Sequence, residues 1–242
     1  MNASVLWELP FGAGKAVKLK GPADRFLGGW ELGGIVNYRT GLPISLLITR
    51  ADVVYRDKRN GNILTSPVVV NGQVMTEAVV NVPGGGASRN VRRADVVAGV
   101  NPFVTGADKR VYLNPAAFSI PQPGTFGNMG RNALAGPDLS QFDLTVHKRI
   151  PLTEKVNLQF RGEIYNLFNR ANFTNPPATL SAGLPASYTD AANATGLGGI
   201  QPGQSFTASA AGGAFGRMSS TVANTVGLGA QRQIQLSMRL NF

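Results

Sequence analysis

The sequence predicts an all-β fold, an antiparallel transmembrane β-barrel segment that is part of a larger barrel, and three observations predict it. Apolar and polar residues alternate with period two in segments about ten residues long, the length a tilted strand needs to cross a bilayer. The composition, with 30 Gly, 15 Pro, no Cys and only 15% charged residues among 242, favours strands and turns over long helices. The segments are joined by a few tight turns and by very long connections rich in Gly, Pro, Asn, Ser and Ala. Compact soluble domains seldom carry structureless loops beyond about 12–15 residues, whereas outer-membrane barrels pair short turns on one side with long loops on the other.

Six strands are expected, near 3–10, 26–39, 43–50, 139–149, 154–168 and 231–242. The first sets Val5, Trp7 and Leu9 against Ser4 and Glu8. After a Gly-rich loop at 11–25, the second sets Trp30, Leu32, Gly34, Val36 and Tyr38 against Glu31, Gly33, Asn37 and Arg39, with Ile35 breaking the polar side. Thr40-Gly41-Leu42-Pro43 is a turn signal, and Ile44, Leu46 and Ile48 beyond it complete an expected hairpin. The long loop 51–138 holds Asn71-Gly72 between apolar runs, a two-residue hairpin signal. The fourth strand opposes Phe142, Leu144 and Val146 to Asp143, Thr145 and His147. Following a tight turn at 150–153, the fifth opposes Val156, Leu158, Phe160, Gly162 and Ile164 to Asn157, Gln159, Arg161 and Glu163. After the loop 170–230 comes the most regular strand, with Ile234, Leu236, Met238, Leu240 and Phe242 alternating with Gln233, Gln235, Ser237, Arg239 and Asn241. If Phe242 ends in the periplasm, six strands put both tight turns inside and the loops 11–25, 51–138 and 170–230 outside. Gly84-Gly85-Gly86 and the Ala/Ser/Gly stretch after Leu180 read as flexible loop.

An alternating strand is half-buried wherever it occurs, so the alternative is a secreted β-sandwich, a carbohydrate-binding or adhesion domain, with one face on a core. Three features point to lipid. The apolar faces are almost free of charge at central positions, where Lys or Arg costs about 2–4 kcal/mol. The opposite faces carry charge freely, as a wet lumen permits; Asp143, His147, Arg161, Glu163 and Arg239 are the lumen-facing candidates. Aromatics (Trp7, Trp30, Tyr38, Phe168, Phe242) gather near strand ends as an interfacial girdle does. In lipid every backbone donor needs a strand partner, and six strands fall short of the roughly eight that close the smallest barrels.

The net charge of +10 and pI near 10.4 invite a nucleic-acid reading. The basic residues are scattered, however, with Lys15, Lys18 and Lys20 in one loop and Arg89, Arg92 and Arg93 in another, and no aromatic-rich recognition module accompanies them. Anionic headgroups or an anionic solute answer the charge equally well, and no nucleic acid is expected as a partner. No stretch approaches the roughly 20 apolar residues of a spanning helix. The start of the chain lacks the basic, apolar and small-residue pattern of a secretory signal, so the front is expected to be truncated.

Catalysis is not expected. Without Cys there is no thiol nucleophile, and His147 is the only histidine, which removes His-based triads and multi-His metal sites. Gly12-Ala13-Gly14-Lys15 lacks phosphate-loop spacing, and Ala16 stands where a metal-binding hydroxyl belongs. Glu8, Glu31, Asp143 and Glu163 read as wall charges balanced by Arg39, Arg161 and Arg239 rather than as an acid–base pair. No cofactor or metal is expected.

Several separated blocks carry a family resemblance. The run Tyr112-Leu113-Asn114-Pro115-Ala116-Ala117-Phe118, then Gly124-Thr125-Phe126-Gly127-Asn128, Gly130-Arg131-Asn132, Gly136-Pro137, Phe142-Asp143-Leu144-Thr145 and Phe160-Arg161-Gly162-Glu163-Ile164-Tyr165-Asn166-Leu167-Phe168-Asn169 resembles the C-terminal barrel of Oar-like TonB-dependent transporters. So do Glu8-Leu9-Pro10-Phe11-Gly12 and Gly28-Gly29-Trp30-Glu31-Leu32-Gly33-Gly34 at the front. The terminal Phe242, with Ile234, Leu236, Met238 and Leu240 at alternate positions, is similar to the signal read by the barrel-assembly machinery. The resemblance implies a barrel of about 22 strands with an N-terminal plug, a bacterial outer-membrane location with extracellular loops and a periplasmic C-terminus, and uptake of a large solute. It implies as partners the outer-membrane lipid, the assembly machinery, the remaining barrel and plug, and the TonB complex through an N-terminal part that this sequence lacks. The chain is therefore expected to be a fragment, not competent for uptake alone.

Overall fold

The computed structural model describes all residues except 13, 82–90, 105, 107, 154, 181–199 and 223–230. The Gly84–Gly86 run, Arg89 and the stretch after Leu180 thus lie outside the described residues. The chain forms two compact units, one of Met1–Gly41, Pro137–Thr174 and Ser220–Phe242, the other of Leu42–Gly136 and Asn175–Ser219.

The first unit is a wall of five long strands: β1 (Asn2–Glu8), β2 (Trp30–Arg39), β3 (Leu139–Pro151), β4 (Asn157–Tyr165) and β5 (Gln233–Asn241), with a short helix α1 (Pro22–Leu27) before β2. They make one antiparallel sheet in the order β1-β2-β3-β4-β5. The register keeps like with like across it. Trp7 pairs with Leu32, Leu32 with Val146, Val146 with Gly162, and Gly162 with Leu236, a single apolar row through all five strands. The next row is Glu8, Glu31, His147, Arg161 and Ser237. Since side chains alternate with period two, slipping any strand by one residue would put its charges into the apolar face, so the sequence pattern itself selects this register.

Segment 43–50 is not a wall strand. It divides into Pro43–Ile44 and Leu47–Thr49, which pair with Leu134–Ala135, Val91–Arg93 and Thr179–Leu180 in the second unit. Ile44, Leu46 and Ile48 are 4%, 1% and 0% exposed there. Alternation reports one buried face and cannot say whether protein or lipid buries it, which is why the expected sixth strand fails. Five wall strands replace six, and β2 pairs directly with β3.

The expected placement of turns changes with that count. Glu8, Trp30, Pro151 and Asn157 all lie at the end of the sheet where β5 delivers Asn241. Residues 9–29 therefore connect β1 to β2 at the same end as the tight 152–156 turn and Phe242, not opposite them. Only the insertions after Arg39 and after Tyr165 leave from the other end. Thr40–Pro43 is the entrance to the second unit rather than a membrane turn. Boundaries move too: Phe26 and Leu27 are helical, and the second strand starts at Trp30. The chain turns from α1 into β2 through Gly29 at φ +68, where a Cβ would stand 2.5 Å from the Arg149 carbonyl oxygen, so the junction demands glycine.

The second unit corrects the expectation of irregular loops at 51–138 and 170–230. Ile48, Leu113, Phe118, Ile120, Leu180 and Phe206 are essentially inaccessible in one core, and Phe118 meets Phe215 edge-to-face at 6.3 Å. Val53–Asp57 pairs with both Ile63–Leu64 and Thr76–Val80. The Asn71-Gly72 hairpin forms as expected, joining Val69–Val70 to Gln73–Val74 with φ of 49° and 76° at the two turn residues, the left-handed pair a type I′ turn requires. Asn114 caps the turn Pro115–Ala117 by accepting from the Ala116 amide. Two charges are buried here. Asp57, 1% exposed, accepts two guanidinium hydrogen bonds from Arg59, which hold its carboxyl below the usual range. Arg50, 2% exposed, donates from Nη1 to the Pro121 carbonyl at 3.3 Å, while its Nε and Nη2 meet no acceptor among the described residues. Burial, and then the neighbouring Arg92, push Arg50 down to about 10.

Candidate functional site

The wall has two chemically distinct faces, and the expected site residues divide cleanly between them. Asp143, His147, Arg161, Glu163 and Arg239 all lie on the polar one. His147 is flanked by Glu31 on β2 and Arg161 on β4, with its Nδ1 3.9 Å from Glu31 Oε2. Arg161 Nη2 contacts Glu163 Oε1 at 2.5 Å. Asp143 accepts from Gln141 Nε2 at 2.9 and 3.1 Å and from the Asn166 amide at 2.8 Å, so it fastens the far end of β4 rather than facing solvent alone. Arg239 stands beside Gln159, which pairs with Arg149 on β3.

On the polar face of the five strands, Arg39, Arg149, Arg161 and Arg239 balance Glu8, Glu31, Asp143 and Glu163, four charges of each sign. This face is concave: Ser4, Glu31, Thr145, His147, Arg161 and Arg239 line a hollow of about 650 Å³. Leu6 and Ile35, 70% and 48% exposed, are apolar side chains of the same lining. The arrangement offers paired donors and acceptors to a polar solute or to water. Among the described residues no group of three His, Cys, Asp or Glu could hold a metal ion.

The apolar face carries Ile234, Leu236, Met238 and Leu240, 52% to 70% exposed on the edge strand β5, with Phe242 almost fully exposed beyond it. Trp7 and Trp30 mark the Phe242 end of this face, and Tyr38 and Phe168 the other, so aromatics border it at both ends. Its one charged strand residue, among those described, is Lys148, which the sequence expectation of an almost charge-free face had passed over. Parity could have found it, since Lys148 follows Leu144 and Val146 at even spacing. Lys148 is 4% exposed. Its Nζ donates to the Phe26 and Gly28 carbonyls at the end of α1 and sits 5.2 Å from the Trp30 ring centroid, while Trp30 Nε1 donates to Phe26 at 2.8 Å. The helix thus folds back over the apolar face and supplies the oxygens a cation there needs.

Over residues 1–235 the chain matches the family described as outer membrane beta barrel domain. The chain belongs to that family, and its alternating, antiparallel wall is an outer-membrane β-barrel wall. No curated protein and no solved structure shows significant similarity to it.

Proposed function

We propose that this wall is one sector of a larger TonB-dependent barrel that admits a large solute across the outer membrane, with the polar concave face lining the lumen. The carrying observation is the pair of open edges. β1 and β5 have no partner on their outer sides among the described residues, and five strands are too few to close, since about eight are needed. In lipid an unpaired edge is untenable, so further wall must pair with both. Asp143, His147, Arg161, Glu163 and Arg239 then face water, where their role is electrostatic lining, not catalysis, and no cofactor is required. The blocks resembling Oar-like transporters, Tyr112–Phe118 and Phe160–Asn169 among them, support the transporter subtype. The alternate apolar residues ending in Phe242 support recognition by the barrel-assembly machinery.

The tight turn after β3 shares an end with Phe242, while the two long insertions leave from the other end. Short periplasmic turns and long external loops support a periplasmic Phe242 and insertions after Arg39 and Tyr165 that leave toward the outside. A secreted sandwich is disfavoured because the apolar residues of β5 are exposed and, among the described residues, the wall unit lays no second sheet over them. The test is fractionation and labelling. The chain contains no cysteine, so Lys109→Cys and Lys155→Cys introduce single reporters in the second unit and the tight turn. Expression in a Gram-negative host should give an outer-membrane protein extracted only by detergent, with Lys109→Cys modified by an impermeant maleimide in intact cells and Lys155→Cys only after permeabilisation. Recovery as a soluble monomer in plain buffer would overturn the proposal.

A further inference from the structure

We propose that the groove between α1 and the apolar face of the wall is a binding site for an anionic glycerophospholipid of the leaflet nearest Phe242. The inference rests on the membrane reading above but asks more of it, namely a specific headgroup at a specific place. The groove measures about 780 Å³ and is walled by Pro22 and Phe26 of the helix segment and by Ile150, Leu158, Phe160 and Met238 of the strands, a volume typical of small-molecule sites. Those strand residues belong to two adjacent rows, Trp30–Lys148–Phe160–Met238 and Ile150–Leu158–Leu240, so apart from the Lys148 ammonium the floor is hydrocarbon-compatible. Phe26 and Leu27 on the helix are 76% and 55% exposed, which keeps apolar surface turned outward on the helix as well.

The rim is basic. Arg25 and Lys148 both border the groove, and the connection between β1 and β2 also carries Lys18 and Lys20 against the acid Asp24, while Lys15 is answered by Glu8. Arg25, Lys18 and Lys20 are exposed. Lys148 commits two of its three ammonium hydrogens to the Phe26 and Gly28 carbonyls, which leaves one for a phosphate oxygen. Apolar floor, basic rim and an aromatic at the boundary (Trp30) are the three demands of a phospholipid: acyl chains below, a phosphate at the rim, and an amphipathic ring between them. A peptide or a second copy of the chain would need hydrogen-bonding edges that this floor does not supply, and a neutral lipid would leave the rim charges unanswered.

Trp30 lies in the groove and reports on it directly. The chain has two tryptophans, so Trp7→Phe leaves Trp30 as the sole emitter. That protein, in phosphatidylcholine bilayers, is titrated with phosphatidylglycerol or phosphatidylcholine brominated on the acyl chains. Selective binding predicts that the brominated phosphatidylglycerol half-quenches Trp30 at a mole fraction on the order of fivefold lower than the brominated phosphatidylcholine, the worth of about one basic residue near an anionic surface. Adding Arg25→Gln, with folding checked by circular dichroism, should bring the two curves together. Equal quenching by both lipids in the Trp7→Phe protein, or an unchanged preference after Arg25→Gln, would overturn the site while leaving the membrane wall standing. No quenching by either lipid would overturn both.

Discussion

Lys148 Nζ lies 5.2 Å from the centroid of the Trp30 ring, its cross-strand partner, on a face of the wall whose other described strand residues are uncharged. A cation in that setting is stable only if oxygen or π-electron density replaces water, and α1 provides the first while Trp30 provides the second. Helix and lysine are mutually dependent: six residues are too few to hold a helix by propensity alone.

Lys148→Met is accordingly expected to release α1 without disturbing the wall. Charged hydrogen bonds are worth about 1.5–3 kcal/mol and a cation–π contact about 0.5–2 kcal/mol, so amide exchange at Arg25 to Gly28 should accelerate by one to two orders of magnitude. Exchange within β3 and β4 should not change. Unaltered protection of the α1 amides would contradict this account of the helix.

Charge tolerance should follow parity along β3. Leu144 sits in the middle of the apolar face, in the row with Gly34, Ile164 and Ile234, so Leu144→Arg should cost about 2–4 kcal/mol in the bilayer. Thr145→Arg, one residue on and facing the hollow, should cost under about 1 kcal/mol. Urea titrations of the bilayer-embedded protein compare the two. Equal costs would mean that the two faces are not chemically distinct.

Acid should weaken the second unit through Asp57. Its carboxyl is held below the ordinary range by Arg59, so it binds fewer protons folded than unfolded near pH 4, and the stabilisation is present above the unfolded value and lost as pH falls through the folded one. Arg59→Ala should cost about 2 kcal/mol at pH 7, because it removes both guanidinium donors to Asp57 and leaves the backbone amide of residue 59. The deficit should shrink as the pH is lowered. A pH-independent deficit would assign the loss to packing instead.

Arg50 predicts the opposite trend. A guanidinium buried with two unanswered nitrogens is a liability, and Arg50→Met should be neutral to stabilising by about 1 kcal/mol. The folded state holds the proton less tightly than the unfolded chain, its value drawn down to about 10 from the higher ordinary arginine value. Wild-type stability therefore gains as pH rises past 10, and the advantage of Arg50→Met should be full below that pH and diminish above it.

Four of the five wall strands could be read from alternation almost residue for residue, because a half-wet strand imposes a period-two pattern that few other environments imitate. The same logic misread Ile44, Leu46 and Ile48, whose alternation answers to a protein core. What the pattern could not convey was the second unit: its core joins Ile48 to Leu180 and Phe118 to Phe215, contacts between residues far apart in the chain that leave no local period. Nor does α1 announce itself, being too short to show amphipathic spacing. The polar-face residues were legible as a set because parity assigns them together. Asp143 gripping the Asn166 amide was not, since it depends on where β4 stops.

The second unit is assembled from chain on both sides of the β3–β4 hairpin, with Leu180, made after the hairpin, lying beside Ile48, made before it. During synthesis the first instalment thus emerges with half a core and must wait, its apolar side chains wet, until the hairpin has been translated and passed. The closing of that body is therefore a timing device: it cannot happen before β3 and β4 of the wall exist.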